Sequence, residues 1–564
     1  MRLLLTLILF VAVAAGCATS VGRYAPESLL QAESAIDAES LLAHINELAS
    51  DRYEGRAPAT EGERLTVEYL TAQFKALGLQ PGNPDGTYVQ EVPLVGISGT
   101  RSATLTANGK RMHMNFPDDY VALTRRFEPT IRLPETELVF VGYGVVAPEY
   151  DWDDYKDVDV RGKVIVMLIN DPAIPDPDDP SRLDPKMFNG RAMTYYGRWT
   201  YKYEIAAEKG AAGALIVHET GPAGYPYEVL SGSWGRENFD IERDDGNKGR
   251  VQVEGWISRE RAETLFRLSG HSLEAMKQAA LERDFRPVTL PAKASFKLDN
   301  TLRRVTSKNV IARLDGADAQ LKDQYVVYSA HWDHLGKDPA LKGDQVFNGA
   351  HDNASGTAGL LELAQGFTRL PAPPKRSIVF LAVTAEEKGL LGSKWYAEHP
   401  LYPLTRTVAN INMDGISHFG RSHDVVVVGK GQSTLEDVLA DQVAAQGREL
   451  VADPTPEKGS YYRSDHFEFA KVGVPALYTG RGVKRVGAPE GSGQKQIDEF
   501  VARDYHKVSD EVRPDWQMSG GVEDLRLLLR VGLAVAEEES YPRWKEGSEF
   551  KARRDWMMRD ASLR

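Results

Sequence analysis

His331-Trp332-Asp333-His334, Asp352-Asn353, Glu386-Glu387, Asp414, His466 and His506 are residues whose side chains bind metals or move protons. Three of these groups follow short apolar runs. "YVVYSA" leads into His331, "IVFLAVT" passes through Ala385 into Glu386, and "VANINM" leads into Asp414. Imidazole nitrogens and carboxylate oxygens are the ligands zinc takes. A metal beside a free carboxylate can activate water for hydrolysis. Taken singly, each group has an ordinary explanation. A His-x-Asp at a strand end suits a His bonded to its neighbouring acid. A Glu-Glu pair suits a helix start, Asp414 before Gly415 suits a turn, and Asp352-Asn353 suits a helix cap. Four such features at successive element ends of one sheet are much harder to ascribe to chance. Within "NGAHDNASG" both His351 and Asp352 qualify as the metal ligand.

The elements that must position these residues alternate in type. From about Lys297, "QYVVYSAH", "RSIVFLAVT" and "TVANINMD" read as strands. "ASGTAGLLELAQGFTRL" and "GLLGSKWYAEH" between them read as helices. This alternation predicts an α/β sheet with helices on both faces and a ligand site beyond the carboxyl ends of its strands. Upstream, apolar residues recur at helical spacing from Ile36 to about Leu79, with Gly78 as a stop signal. From about Glu135 the texture changes to "ELVFVGYGVV", "GKVIVMLIN" and "YKYEIAAEKGAAGALIVHE". The run from 135 to 290 resembles a protease-associated (PA) domain, a non-catalytic insertion of several exopeptidase families. The alternative is that these are ordinary α/β elements of one domain.

"SAHWDHLG", "FNGAHDNASG", "VTAEEKGLLGS", "NINMDG", "YRSDHFEFAKVGVPAL" and "DYHKVSDE" occur in that order. Together they resemble the zinc aminopeptidases of peptidase family M28, and "GRAPATEGE" near the N-terminus is similar as well. The resemblance implies an α/β, three-layer catalytic domain. Its central sheet would be mixed and mostly parallel, and the PA-like segment would form a smaller, β-rich α/β insertion. It implies two Zn2+ per chain: His331 and Asp414 on one, Glu387 and His506 on the other, and Asp352 bridging both. It implies Glu386 as general base, Asp333 supporting His331, and peptides as substrates. His466 and His506 both suit ligation by residue type; the family pattern places the ligand in "DYH", at His506, and leaves His466 structural. His334 is expected to sit beside the site, and His351 to be structural. Tyr461 and Tyr505 are candidates to stabilise an oxyanion. The family also implies a cis peptide between Asp352 and Asn353.

Composition bounds the remaining choices. The formal net charge is −13 and no long Lys/Arg run occurs, so nothing favours nucleic acid. The apolar run Leu3–Ala15 is too short for an ordinary membrane span and suits a signal peptide. It ends in Ala14-Ala15-Gly16-Cys17, which resembles a bacterial lipobox, so Cys17 is expected to carry a lipid that anchors an exported, cell-envelope protein to the membrane. Cys17 is the only cysteine, which excludes an internal disulfide. The expected division is a signal at 1–17, a tether at 18–35, catalytic domain at 36–134 and 291–545 around the insert at 135–290, and a tail at 546–564. Aminopeptidase activity is the leading expectation. A carboxypeptidase differs only in the terminus read. A glutaminyl cyclase or a non-catalytic relative would not need the complete ligand set.

Overall fold

The computed structural model describes residues 23–563. Cys17 and the apolar leader lie outside the described residues. Among those residues no helix is long and apolar enough to cross a membrane.

The motif-bearing half is built on six strands: β1 (Val288–Leu314), β2 (Tyr325–His331), β3 (Ser377–Val383), β4 (Thr407–Asn412), β5 (Asp424–Val427) and β6 (Ala476–Gly480). Their spatial order is β5-β6-β4-β2-β3-β1. β2 runs parallel to both β3 and β4, and β4 runs parallel to β6. β1 is antiparallel to β3 and β5 to β6, and a further short strand, Glu449–Ala452, adds parallel to the outer edge of β5. The central strands are buried on both faces, which is why they read as unbroken apolar runs. Val326, Tyr328 and Ala330 point to one side, into a core shared with helices at Gly356–Thr368 and Ser519–Glu537. Tyr325 and Val327 point to the other, against Tyr396 and Phe469 of the helices Leu391–Glu398 and His466–Lys471. Strand alternation dictates this division. Each such buried side chain contributes up to about 1.5–3 kcal/mol. The fold is thus a large, mostly parallel α/β sheet with helices on both faces.

A second body has its own cores, built from residues between Ala103 and Leu298. Its parallel strands are Val164–Leu168, Gly213–His218 and Val253–Ser258. The two bodies share strands rather than a loose linker. Val89–Ala107 pairs with β1 from Val310 to Ala292 without a break. Residues 103–123 pack in this second body, so it begins well before the expected position 135. They lie on an alternating strand and its hairpin partner Lys110–Met114, a pattern that does not say which core it faces.

Two termini also differ from expectation. Residues 26–34, within the expected tether, form a helix that buries Leu29 and Ala32. Arg526 donates to the Glu33 carbonyl at 2.8 Å and fixes that helix to the body. The expected tail forms the helix Lys551–Leu563, where Arg554 donates to the carbonyls of Leu404 and Thr407 at 2.8 and 3.0 Å.

Candidate metal centre

β2, β3 and β4 end at one edge of the sheet, and their following residues converge there. His331 is the last residue of β2 and is buried. Its Nδ1 lies 3.1 Å from the carbonyl of Asp333. A carbonyl only accepts, so Nδ1 carries a proton, and Nε2 is the nitrogen turned to the carboxylates. That Nε2 lies 3.3 Å from Asp352 Oδ1 and 3.4 Å from Asp414 Oδ1. On the far side of Asp352, His506 Nε2 lies 3.2 Å from Asp352 Oδ2 and 3.1 Å from Glu387 Oε2. Asp352 therefore turns one oxygen to each histidine.

These spacings fit metal ions. Donors about 2.0–2.2 Å from a tetrahedral zinc stand about 3.3–3.6 Å from one another. Two such sets, sharing one carboxylate, match the donor chemistry of a paired-metal site. The electrostatics also favour cations. Burial opposes charge on Asp352, but the neighbouring His331 and His506 rings prevail and hold it well below the usual carboxylate range. Burial likewise opposes charge on Glu387, yet His506 and His334 bring it down to about 2. Against its own burial, His506 is raised to about 10 by Glu387 and Asp352.

Local folding explains how each ligand loop is held. The Asp352–Asn353 peptide is cis. Asn353 Nδ2 donates to Met413 O at 3.0 Å, while its Oδ1 accepts from Gly356 N at 2.9 Å and Gly415 N at 3.0 Å. It thus both caps the following helix and ties the Asp352 loop to the Asp414 loop. A Cβ on Gly356 would stand 2.3 Å from Asn353 Oδ1, so only glycine permits this approach. β3 ends at Val383, and Glu386 and Glu387 occupy one helical turn, Glu386–Lys388, entered at Ala385 (φ 53°) and left at Gly389 (φ 113°). The roughly 120° step per residue of such a turn separates the two side chains.

Asp333 differs from expectation. Its carbonyl rather than its carboxylate holds His331; the carboxylate oxygen is 3.9 Å from that ring and accepts the Glu386 N–H at 3.0 Å. Asp333 therefore orients both His331 and the Glu386 turn. Glu386 reaches the pocket shared with Glu387, Tyr505 and His506. Its burial, with the neighbouring Glu387 and Asp414 carboxylates, pushes its carboxyl well above the usual range.

The other histidines sort by position. His334 donates from Nδ1 to Glu387 Oε1 at 2.6 Å, and with Asp352 and Glu387 forms another group of ligand-type atoms. His351 packs edge-on to His418 and Phe500. His466 lies apart from the cluster, its ring against Tyr461 and Tyr478. Tyr505 stacks on His506 with ring centres 3.9 Å apart. Tyr461 does not join the site: it packs on His466 and Phe550, and its hydroxyl is buried without a hydrogen-bond partner.

Three supporting residues escaped the sequence reading as individuals. Arg56, in the quoted "GRAPATEGE", is buried and donates to the carbonyls of Trp332, Leu48, Asn348 and Gly349 at 2.6–2.9 Å. Asp510, in the quoted "DYHKVSDE", accepts the N–H groups of His351 and Asp352, each at 3.0 Å. Tyr478 donates to the Asp414 carbonyl at 3.1 Å. The first two stood inside recognised motifs; Tyr478 carried no signal.

Comparison with known proteins agrees with this geometry. Residues 309–529 match the family model described as peptidase family M28. Aminopeptidase YwaD of Bacillus subtilis (strain 168) is 32% identical over 215 residues, 37% of this chain and 42% of that protein. Aminopeptidase NAALADL1 of Mus musculus is 35% identical over 164 residues, 27% of this chain and 20% of that protein. The chain thus spans less than half the length of these curated relatives. The solved aminopeptidase from Aneurinibacillus sp. strain AM-1 shares the fold, with a TM-score of 0.50 at 20% identity over 90% of this chain and 95% of its own.

Proposed function

Since residues 309–529 match the model of peptidase family M28, we propose that the protein is a zinc-dependent aminopeptidase that removes N-terminal residues from peptides. The observation that carries this reading is the double engagement of Asp352: Oδ1 3.3 Å from His331 Nε2 and Oδ2 3.2 Å from His506 Nε2. In this reading His331 and Asp414 would hold one zinc, Glu387 and His506 the other, and Asp352 would offer one oxygen to each; zinc bound there would supply Lewis acidity and a water acidified towards a pKa of about 7. The chain's own residues do the rest. Glu386 takes the proton of the attacking water on its side-chain carboxylate and returns it to the leaving amine. Asp333 fixes the Glu386 turn by accepting its N–H. Tyr505, stacked on His506, is the remaining candidate donor to a developing oxyanion.

Metal analysis of the purified protein is the primary test, together with Glu386→Gln. About two zincs per chain are expected. The variant should keep them while losing about 10²–10⁴-fold in turnover of unblocked peptides. One zinc or none would overturn the paired site, and an active variant would overturn the base. Acetylating the substrate amine should stop hydrolysis by an aminopeptidase and spare a carboxypeptidase.

The same proposal extends to location. Cys17 is the lipid-bearing residue of an exported, cell-envelope protein, and the PA-like segment is an insertion in the catalytic domain. Cys17→Ser should release the protein from the membrane fraction; retention there would remove the anchor from the proposal.

A further inference from the structure

The candidate pocket has walls from both bodies. Glu386, Glu387, Tyr505 and His506 face Arg198, Tyr225 and Trp234 of the second body, and Arg463 stands beside them. Two guanidinium groups thus flank the expected reaction centre. Arg463 donates from Nη2 to the Ala223 carbonyl at 2.5 Å and lies 5.1 Å from the centre of the Tyr225 ring. Arg198 lies 5.0 Å from the centre of the Trp199 ring. The Nε of each is buried with no hydrogen-bond partner. Neither guanidinium pairs with a carboxylate among the described residues.

An unmet buried N–H is costly, and two like charges sharing one cavity add to that cost. The strain is visible in Arg198, which burial, then Arg463, brings down to about 10. Of the nearby carboxylates, Glu386 favours the charge on Arg198 through space but forms no ion pair with it among the described residues, while Glu387 is engaged by His334 and His506, and Asp352 by His331 and His506. A planar carboxylate entering the pocket would satisfy the free guanidinium edges, since arginine offers a donor fork matched to that shape. Trp199, Tyr225, Leu230 and Trp234 restrict the space around that position. An anion held there shares one pocket with Glu386, Glu387 and His506.

We propose that Arg198 and Arg463 form a carboxylate-binding subsite beside Glu386, so that preferred substrates carry a carboxylate within one residue of the bond cleaved. The carboxylate is either an acidic N-terminal side chain or the C-terminus of a dipeptide. The inference rests on the peptidase reading and names its substrate class. It also gives the second body a task, because Arg198 comes from that body while Arg463 belongs to the motif-bearing half.

Four peptides separate the sources: Glu-Ala-Ala-amide against Gln-Ala-Ala-amide, and Ala-Ala against Ala-Ala-amide. The zinc-loaded enzyme should favour the carboxylate-bearing member of one pair by at least about tenfold in kcat/KM. Arg198→Gln and Arg463→Gln should each shrink that ratio several-fold, mainly through KM, and Arg→Lys should restore part of it. Each ratio is internal to one preparation, so partial misfolding of a variant cancels. Calorimetric binding of the same peptides to the wild type and to Glu386→Gln reads the subsite without turnover. Hydrolysis with no carboxylate preference in either pair overturns the subsite and leaves the peptidase reading. Carboxylate-selective binding without hydrolysis by the wild type overturns the peptidase reading and leaves the subsite. Neither hydrolysis nor selective binding overturns both.

Discussion

The carboxylate of Asp510 accepts the backbone N–H of Asp352 at 3.0 Å, so a residue four places beyond His506 seats the loop that carries the shared carboxylate. The second oxygen of Asp510 accepts the N–H of His351, also at 3.0 Å. One buried side chain thereby ties the Asp352 loop to the segment that carries His506.

Asp510→Asn should therefore loosen metal binding without removing a ligand. The amide replaces one acceptor by an N–H₂ donor, which then faces a backbone donor and leaves it unsatisfied. Supporting residues around metal ligands typically change affinity by about 10–100-fold when altered. A chelator competition titration on the folded variant reads this directly, and unchanged zinc affinity would show that the loop holds its shape without Asp510.

Arg56 joins three segments that are far apart in sequence. It reaches Leu48, Trp332 and the Asn348–Gly349 carbonyls, all with one guanidinium. Lysine has a single nitrogen on a flexible stem and cannot span that fork. Arg56→Lys should cost about 3 kcal/mol or more in denaturant unfolding, because several buried carbonyls lose charge-assisted partners together. A change under about 1 kcal/mol would mean that water replaces the fork.

The legible part of the site was the part written as motif. His331, Asp352, Glu387, Asp414 and His506 each sit at the end of a strand or in a short polar turn, and the apolar runs before β2, β3 and β4 announced the strands that bring three of them to one edge. What stayed hidden depends on backbone. The carbonyl of Asp333, not its side chain, holds His331, and a carbonyl has no signature in sequence. The left-handed residues Ala385 and Leu390 around the Glu386 turn are ordinary residue types. The second body was harder to delimit, because its strand Val89–Ala107 pairs along one long ladder with β1. A strand shared by two cores carries one alternating pattern and no boundary.

His506 and His466 were equivalent by residue type, and metal retention tells them apart. His506 Nε2 faces both Asp352 and Glu387, whereas His466 touches two tyrosine rings. His506→Gln should remove about one zinc per chain in metal analysis after dialysis. His466→Gln should retain the wild-type amount. The reverse pattern would reassign the ligand.

His466 should instead make stability depend on pH. Burial pushes its imidazole down to about 3, outweighing a weak contact with the Tyr461 backbone that favours the charged ring. The folded protein therefore keeps this ring neutral, while the unfolded chain protonates it below pH about 6.5. A depressed folded value means that the contribution is complete above pH about 6.5 and is lost as pH falls towards about 3. The slope within that window is about 1.4 kcal/mol per pH unit. Glutamine does not titrate, so His466→Gln lacks this slope whatever its stability at neutral pH. Denaturant unfolding of both proteins at pH 6.5 and pH 5 should move the stability difference in favour of the variant by about 1–2 kcal/mol. A difference that stays constant with pH would mean that the ring takes up its proton in the folded state, through water reaching the gap between Tyr461 and Tyr478.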